Sequence, residues 1–226
     1  MSLYVWPSLL IPENQQWTPS NGAARDGGRT LAGTRRMASW AAGGAWSAMF
    51  ENVALSTPDE ILTAQALDAL LNGGAEPIVV PRRPGDQAPG VVAYVPFSDD
   101  TTFSDGTEFA SEGPYGVLDG AVAAYDTEIA FTWPGDALRG GEDFSLETED
   151  GPNLHRIGRF TSIEAISGGF SYVAQIRTPA RTSHLSGAEM NFVNPKCTMH
   201  MTNAKELSAM LQINRWGFFN AEFVEA

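Results

Sequence analysis

Cysteine is almost missing from this chain: Cys197 is the sole example in 226 residues. No intrachain disulfide can form and no thiolate cluster can hold zinc, so folding in a reducing compartment is expected. Lysine is nearly as scarce, with Lys196 and Lys205 alone, and the formal net charge is -13. Nucleic-acid affinity rests on Lys and Arg displacing counterions from phosphates, so direct, specific binding to nucleic acid is not expected. Long apolar runs are absent too; no window approaches the roughly 20 residues that a membrane helix requires. The segment MSLYVWPSLLIPENQQW lacks a basic stretch and is interrupted by Pro7 and Pro12, which is not a signal-peptide pattern. A soluble protein without an anchor is expected.

Histidine is the usual activating base for a nucleophile, and there are three: His155, His184 and His200. His155 follows GPNL at a turn, His184 lies in the polar stretch RTSHLSG, and His200 alternates outward on an expected strand. None belongs to an H-E-x-x-H pair, and neither a G-x-S-x-G elbow nor a phosphate-binding G-x-x-x-x-G-K-[ST] loop occurs. No catalytic residue is expected.

What is present describes an ordered globular protein, with 43% hydrophobic and 18% charged residues and enough length for one large or two small domains. Charge is uneven. From Gly85 to Asp150 there are fifteen Asp and Glu against one base, Arg139; the remainder holds twelve acids and thirteen bases. Within that acidic stretch TTFSDGTEFASEGPYG, from Thr101 to Gly116, invites a calcium-loop reading. An EF-hand needs oxygen donors at alternating positions before its glycine, and Thr101 and Phe103 break the pattern ahead of Asp105-Gly106. The same residues read as tight turns with Phe103, Phe109 and Tyr115 packed inward.

Paired carboxylates run glycosidases, and Asp99-Asp100 and Glu142-Asp143 are candidates on composition alone. Neighbours on a strand point to opposite faces, which argues for solvated acids over a cooperating pair. Trp6, Trp17, Trp40, Trp46, Trp133 and Trp216 are candidates for a sugar platform, against the commoner reading of core or interface. The basic doublets Arg35-Arg36 and Arg82-Arg83 suit acids of a neighbouring subunit better than nucleic acid.

Local patterns set the fold class. STPDEILTAQALDALLNGG reads as a helix capped by Thr57, with Pro58 at its first position and Glu60 completing a capping box. Leu62, Leu67 and Leu70 are expected to face a sheet, and Asn72-Gly73-Gly74 stops the helix. MASWAAGGAWSAMFENVAL reads as strand, turn, strand, and Pro77 to Val80 as a short strand. Beyond the breaker-rich PRRPGDQAPG come the strand-length runs VVAYVPF, AVAAYDTEIAFTW, DFSLE, RIGRFTSIEAI, FSYVAQIR and EMNFV, with a hairpin turn at Ser167-Gly168-Gly169. Tyr172, Ala174 and Ile176 alternate with Ser171, Gln175 and Arg177, as on a half-buried strand. RWGFFNAEFVEA carries large apolar groups on both faces, so it is either central in a sheet or covered by another subunit. The expectation is a mainly β protein. Residues 1–84 with 194–226 form a β-sandwich or barrel platform with one packed α-helix, and residues 85–193 an inserted, small, acidic β-domain.

In order, WPSLLIP followed by a tryptophan, the helix ending in LLNGG, TTFSDGT, LRGGEDFSLE, LHRIGRFTSIEAISGGFSYVAQIRTPAR and NFVNPKCTMHM resemble minor tail proteins of long-tailed bacteriophages. These are distal-tail-like components of the tail tip, and the resemblance covers most of the chain. It implies a non-enzymatic virion subunit made in the host cytoplasm. It also implies a homo-oligomeric ring, a hexamer in the family, that links the tail tube to the hub and host-recognition parts. No catalytic, cofactor-binding or metal-binding residue and no cofactor is implied. NGAARDGGRTLAGTRR, from Asn21 to Arg36, departs from the family pattern in being rich in glycine and arginine. A reading of another class is a carbohydrate-binding β-domain used in host adsorption, whose signature is an exposed, ring-stacking Trp in a concave site.

Overall fold

The computed structural model describes residues 3–20, 44–82, 115–205, 207 and 217–226, with the backbone strands at 24–29, 35–39, 94–95 and 109–110. The fold is mainly β. In chain order come β1 (Tyr4–Val5), β2 (Asn14–Ser20), β3 (Ala24–Arg29), β4 (Arg35–Ser39), β5 (Ala45–Leu55), α1 (Pro58–Leu71) and β6 (Ile78–Pro81). Then follow β7 (Tyr94–Val95), β8 (Phe109–Ala110), β9 (Gly116–Leu118), β10 (Glu128–Trp133), β11 (Asp143–Leu146) and β12 (Asn153–Ile166). The last four are β13 (Gly169–Arg177), β14 (Glu189–Asn191), β15 (Lys196–Met201) and β16 (Gly217–Glu225). Two compact units result, residues 1–80 with 198–226 and residues 81–197, where the sequence reading drew its borders at 84 and 194.

The platform unit is a six-stranded sheet in the order β1-β6-β15-β16-β5-β2. In β5 the period of two puts Trp46, Ala48 and Phe50 into the core. The phase then slips at Asn52, whose φ of 54° marks a bulge. Its N–H donates to Asn220 Oδ1 at 3.0 Å, and the core face resumes at Val53 and Leu55. Trp6 meets Phe50 and Phe223 edge-on, at centroid distances of 5.5 and 5.4 Å, an arrangement that aromatic quadrupoles favour. The RWGFFNAEFVEA strand is central, between β15 and β5. It buries Phe219, Ala221 and Phe223 and leaves Phe218 54% and Val224 43% exposed on the other face.

Helix α1 starts on the expected capping box. Glu60 N–H donates to Thr57 Oγ1 at 3.3 Å, and Glu60 Oε2 accepts from Thr57 N–H at 2.9 Å. The Ser56 N–H, which donates to Glu60 Oε2 at 2.5 Å, and then the Thr57 N–H hold the Glu60 carboxyl below its ordinary range. The buried stripe is Ala64, Leu67 and Leu71, at spacings of a helix face. Leu62 and Leu70 do not face the sheet: they are 62% and 39% exposed. Leu62 lies two residues from Ala64, which turns it to the opposite side of the helix, and Leu70 sits on the flank. At the far end Asn72, Gly73 and Gly74 all take positive φ. A Cβ on Gly74 would also run into the Met201 carbonyl, so this stop admits glycine alone.

The second unit is a closed barrel in the order β10-β13-β12-β11-β14-β9, every neighbouring pair antiparallel. Phe131, Trp133, Phe144, Ile157, Tyr172 and Phe192 fill it. Tyr172, Ala174 and Ile176 point inward along β13, and the hairpin turn at Ser167-Gly168-Gly169 joins β12 to β13. The run AVAAYDTEIAFTW is a strand only from Glu128; before it the chain turns, and Val122 bridges to His184. Two register shifts interrupt the β12–β13 pairing, between Ile157 and Arg159 and between Phe160 and Ser162. The extra residues are Gly158 and Thr161.

Candidate functional site

The barrel concentrates the buried polar groups. Asp143, paired in register with Arg156, accepts from Arg156 Nε at 2.6 Å and Nη2 at 3.0 Å. Arg82 forms an ion pair with the same carboxylate, whose side chain is fully buried. Burial pulls the Arg82 guanidinium below its usual range, against the attraction of Asp143. Glu142, also buried, turns the other way: its Oε1 accepts from Arg139 N–H at 2.5 Å and its Oε2 from Gly140 N–H at 2.7 Å. This adjacent pair therefore diverges, but both acids are buried where solvated ones were expected, because each is held by donors of its own. One acid binds two guanidiniums, the other ties down a loop, and neither is free for acid or base work. Tyr172 fixes the same loop, its hydroxyl accepting from Leu138 N–H at 2.9 Å.

His155 is not at a turn. It lies in β12, fully buried, with its ring against Phe144 at a centroid distance of 5.5 Å. Nδ1 bonds the Thr178 carbonyl at 2.9 Å, so Nδ1 carries the proton, while Nε2 has no partner among the described residues. Burial lowers its pKa to about 4; the Thr178 bond opposes that, and His184 and Arg181 add to it. Thr178 stands at φ 56°, unusual for a β-branched residue, and donates through Oγ1 to the Leu154 carbonyl at 2.9 Å. His184 is buried as well, which lowers its pKa, and lies 3.4 Å from Thr182 Oγ1. His200 is half-buried and reaches the Gly74 carbonyl at 3.2 Å. His155 and His184 thus lie in the barrel unit close enough to interact, each beside a threonine hydroxyl, and His200 belongs to the platform unit.

Outside the barrel wall lies a depression of about 420 Å³, lined by Thr127, Gly158, Arg159, Gln175, Ile176 and Arg177. Arg159 stands in register with Gln175, and Arg177 with Arg156. Both Arg159 and Arg177 are exposed, and neither has an ion-pair partner among the described residues. Sequence reasoning missed this group. Counted back from Ile166 opposite Gly169, an unbroken hairpin sets Arg156 opposite Pro179; the two bulges bring it opposite Arg177 and draw the arginines together.

The remaining candidates separate. Trp6, Trp17, Trp46 and Trp133 are all buried. Trp40, Trp216, Arg83, Asp99, Asp100, Asp105 and most of Thr101 to Gly116 lie outside the described residues, as do the side chains of Arg35 and Arg36. Among the described residues no group of His, Cys, Asp and Glu is placed to hold a metal, and no helix is long and apolar enough to cross a membrane. Neither a protein-family model nor a curated protein sequence matches the chain.

Proposed function

We propose that this chain is a non-enzymatic structural subunit of a bacteriophage tail tip, a distal-tail-like protein whose copies form a sixfold ring between the tail tube and the hub. The observation that carries this reading is strand β16. Its core face is filled by Phe219, Ala221 and Phe223, and its opposite face still shows Phe218 and Val224 in the middle of a six-stranded sheet. Apolar groups on the open side of a central strand are the kind of surface that a neighbour covers, and identical subunits joined head to tail close into rings. The reactive side chains support it from the other direction. Glu142, Asp143 and His155 are spent on internal bonds. The carbohydrate reading draws no support from Trp6, Trp17, Trp46 or Trp133, which are buried.

Cryo-electron microscopy of the particles that carry this chain tests the proposal. The expected result is a ring of this fold at the end of the tail. Finding the chain in the capsid, or outside particles with turnover of a substrate, would overturn it.

A further inference from the structure

We propose that the depression between β10, β12 and β13 receives an acidic turn from a second copy of this chain; this rests on the ring reading above and names a contact that closes the ring. Arg156 and Arg177 face each other directly across β12 and β13, and like charges in that position repel. On its other side Arg156 is paired with Asp143, but that carboxylate also serves Arg82. One anion is thus shared by two guanidiniums, and among the described residues no carboxylate pairs with Arg177 or with Arg159 nearby. Glu128, opposite Gln175 in the register, forms an ion pair with neither arginine. A further carboxylate from outside the subunit balances this wall.

Shape and chemistry fit such a group. The bulge at Gly158 leaves the floor without a side chain, while Thr127 and Gln175 add a hydroxyl and an amide to the two planar guanidinium forks. Arginine pairs bind carboxylate oxygens two at a time, and amide and hydroxyl donors satisfy what remains.

Charge distribution favours a second copy as the source. Residues 81–197 hold seventeen acids against eight bases, so the depression is a positive spot on a negative body. Copies with that asymmetry attract head to tail. The convex counterpart is the turn between β11 and β12, where Glu147, Glu149 and Asp150 are exposed. Thr148 and Gly151 exchange backbone bonds of 3.2 and 3.1 Å, and Thr148 Oγ1 donates to the Gly151 carbonyl at 2.6 Å. A turn already fixed in this way loses little freedom on docking. A knob and a hole on different patches of one subunit give a heterologous contact, which repeats from copy to copy.

Sedimentation velocity on the full chain, over a range of concentration and salt, tests the contact. Association at low salt that weakens at high salt is expected. Arg159→Glu with Arg177→Glu should weaken it by at least about tenfold, and the neutral Arg159→Gln with Arg177→Gln by less. A Glu147→Lys, Glu149→Lys, Asp150→Lys variant should lose association equally. Mixing it with the double Glu variant should restore association, because the reversed charges match. A parent that stays monomeric at low salt, association indifferent to these substitutions, or a mixture without recovery would each overturn the proposal. So would a monomer that binds inorganic phosphate through Arg159 and Arg177, which reassigns the depression to a small anion. A tail-tip ring with both arginines facing solvent sinks this contact and leaves the ring reading standing. A salt-sensitive, charge-swappable oligomer absent from particles does the reverse.

Discussion

In the platform unit the buried side chains are mainly aromatic and aliphatic, with Glu225 and Thr198 as polar exceptions, whereas the barrel unit buries Glu142, Asp143, Ser145, His155, Thr178 and His184. Topology explains the contrast. An open sheet needs one face covered, and its polar side chains can stay on the other. A closed barrel has a filled interior and loops that must be tied down at its ends, and buried polar groups do the tying: Glu142 on Arg139 and Gly140, Tyr172 on Leu138, Thr178 on Leu154. Even Glu225 in the platform follows this rule, its Oε2 accepting from Trp46 N–H at 2.8 Å. Barrel stability should therefore depend on charge and pH, and platform stability on packing.

The largest expected effect breaks the barrel side of this contrast. Asp143→Ala leaves Arg82 and Arg156 without their shared anion and should destabilise the protein by about 3 to 5 kcal/mol in urea unfolding. A loss well under 1 kcal/mol would mean that the site is effectively wet. On the platform side, Leu67→Ala should cost about 2 to 5 kcal/mol, the range for a buried leucine. Leu62→Ala, on the exposed side of the same helix, should stay within about 0.5 kcal/mol; equal losses at the two positions would contradict the helix orientation.

Acid sharpens the comparison. His155 has a folded pKa of about 4, below the ordinary 6.5, so the unfolded chain takes up the proton first. Its contribution is complete above pH 6.5 and is lost as the pH falls toward 4, roughly 3 kcal/mol in all. Hydrogen exchange, corrected for its intrinsic pH dependence, should show protection falling in β12 and β13 ahead of β5 and β16. Parallel loss in the two units would remove His155 as the cause. A smaller loss is expected at the helix start, where Thr57→Ala should cost about 0.5 to 2 kcal/mol in thermal or urea unfolding, with no change in the pH dependence of the barrel.

Local order was readable from sequence. The capping box at Thr57 and Glu60, the hairpin turn at Ser167-Gly169 and the alternation of Tyr172, Ala174 and Ile176 each depend on residues within a few positions of one another. The helix face was harder. Leu62, Leu67, Leu70 and Leu71 span more than one side, and Ala64 gave no signal although it is buried. His155 was misplaced because β12 begins at Asn153, just before it, so GPN ends the turn and the histidine is already in the strand. Barrel closure is a pairing of β9 with β14 across some seventy residues, which no periodicity announces. The arginine depression depends on two bulges that a strand pattern of period two conceals.

Strand β16 has a consequence in time as well as in space. It is the central neighbour of β5, pairing Ala48 with Phe223, yet the whole segment 81–197 lies between them in the chain. On a ribosome, Trp46, Phe50 and Leu67 emerge early and wait, while every strand of the barrel, from Gly116 to Asn191, is made before Gly217 appears. Contacts between residues so far apart are slow to form, and the barrel, contiguous in sequence, is placed to fold first. The nascent platform therefore carries an uncovered aromatic surface through most of translation. That interval is when a chaperone has something to hold.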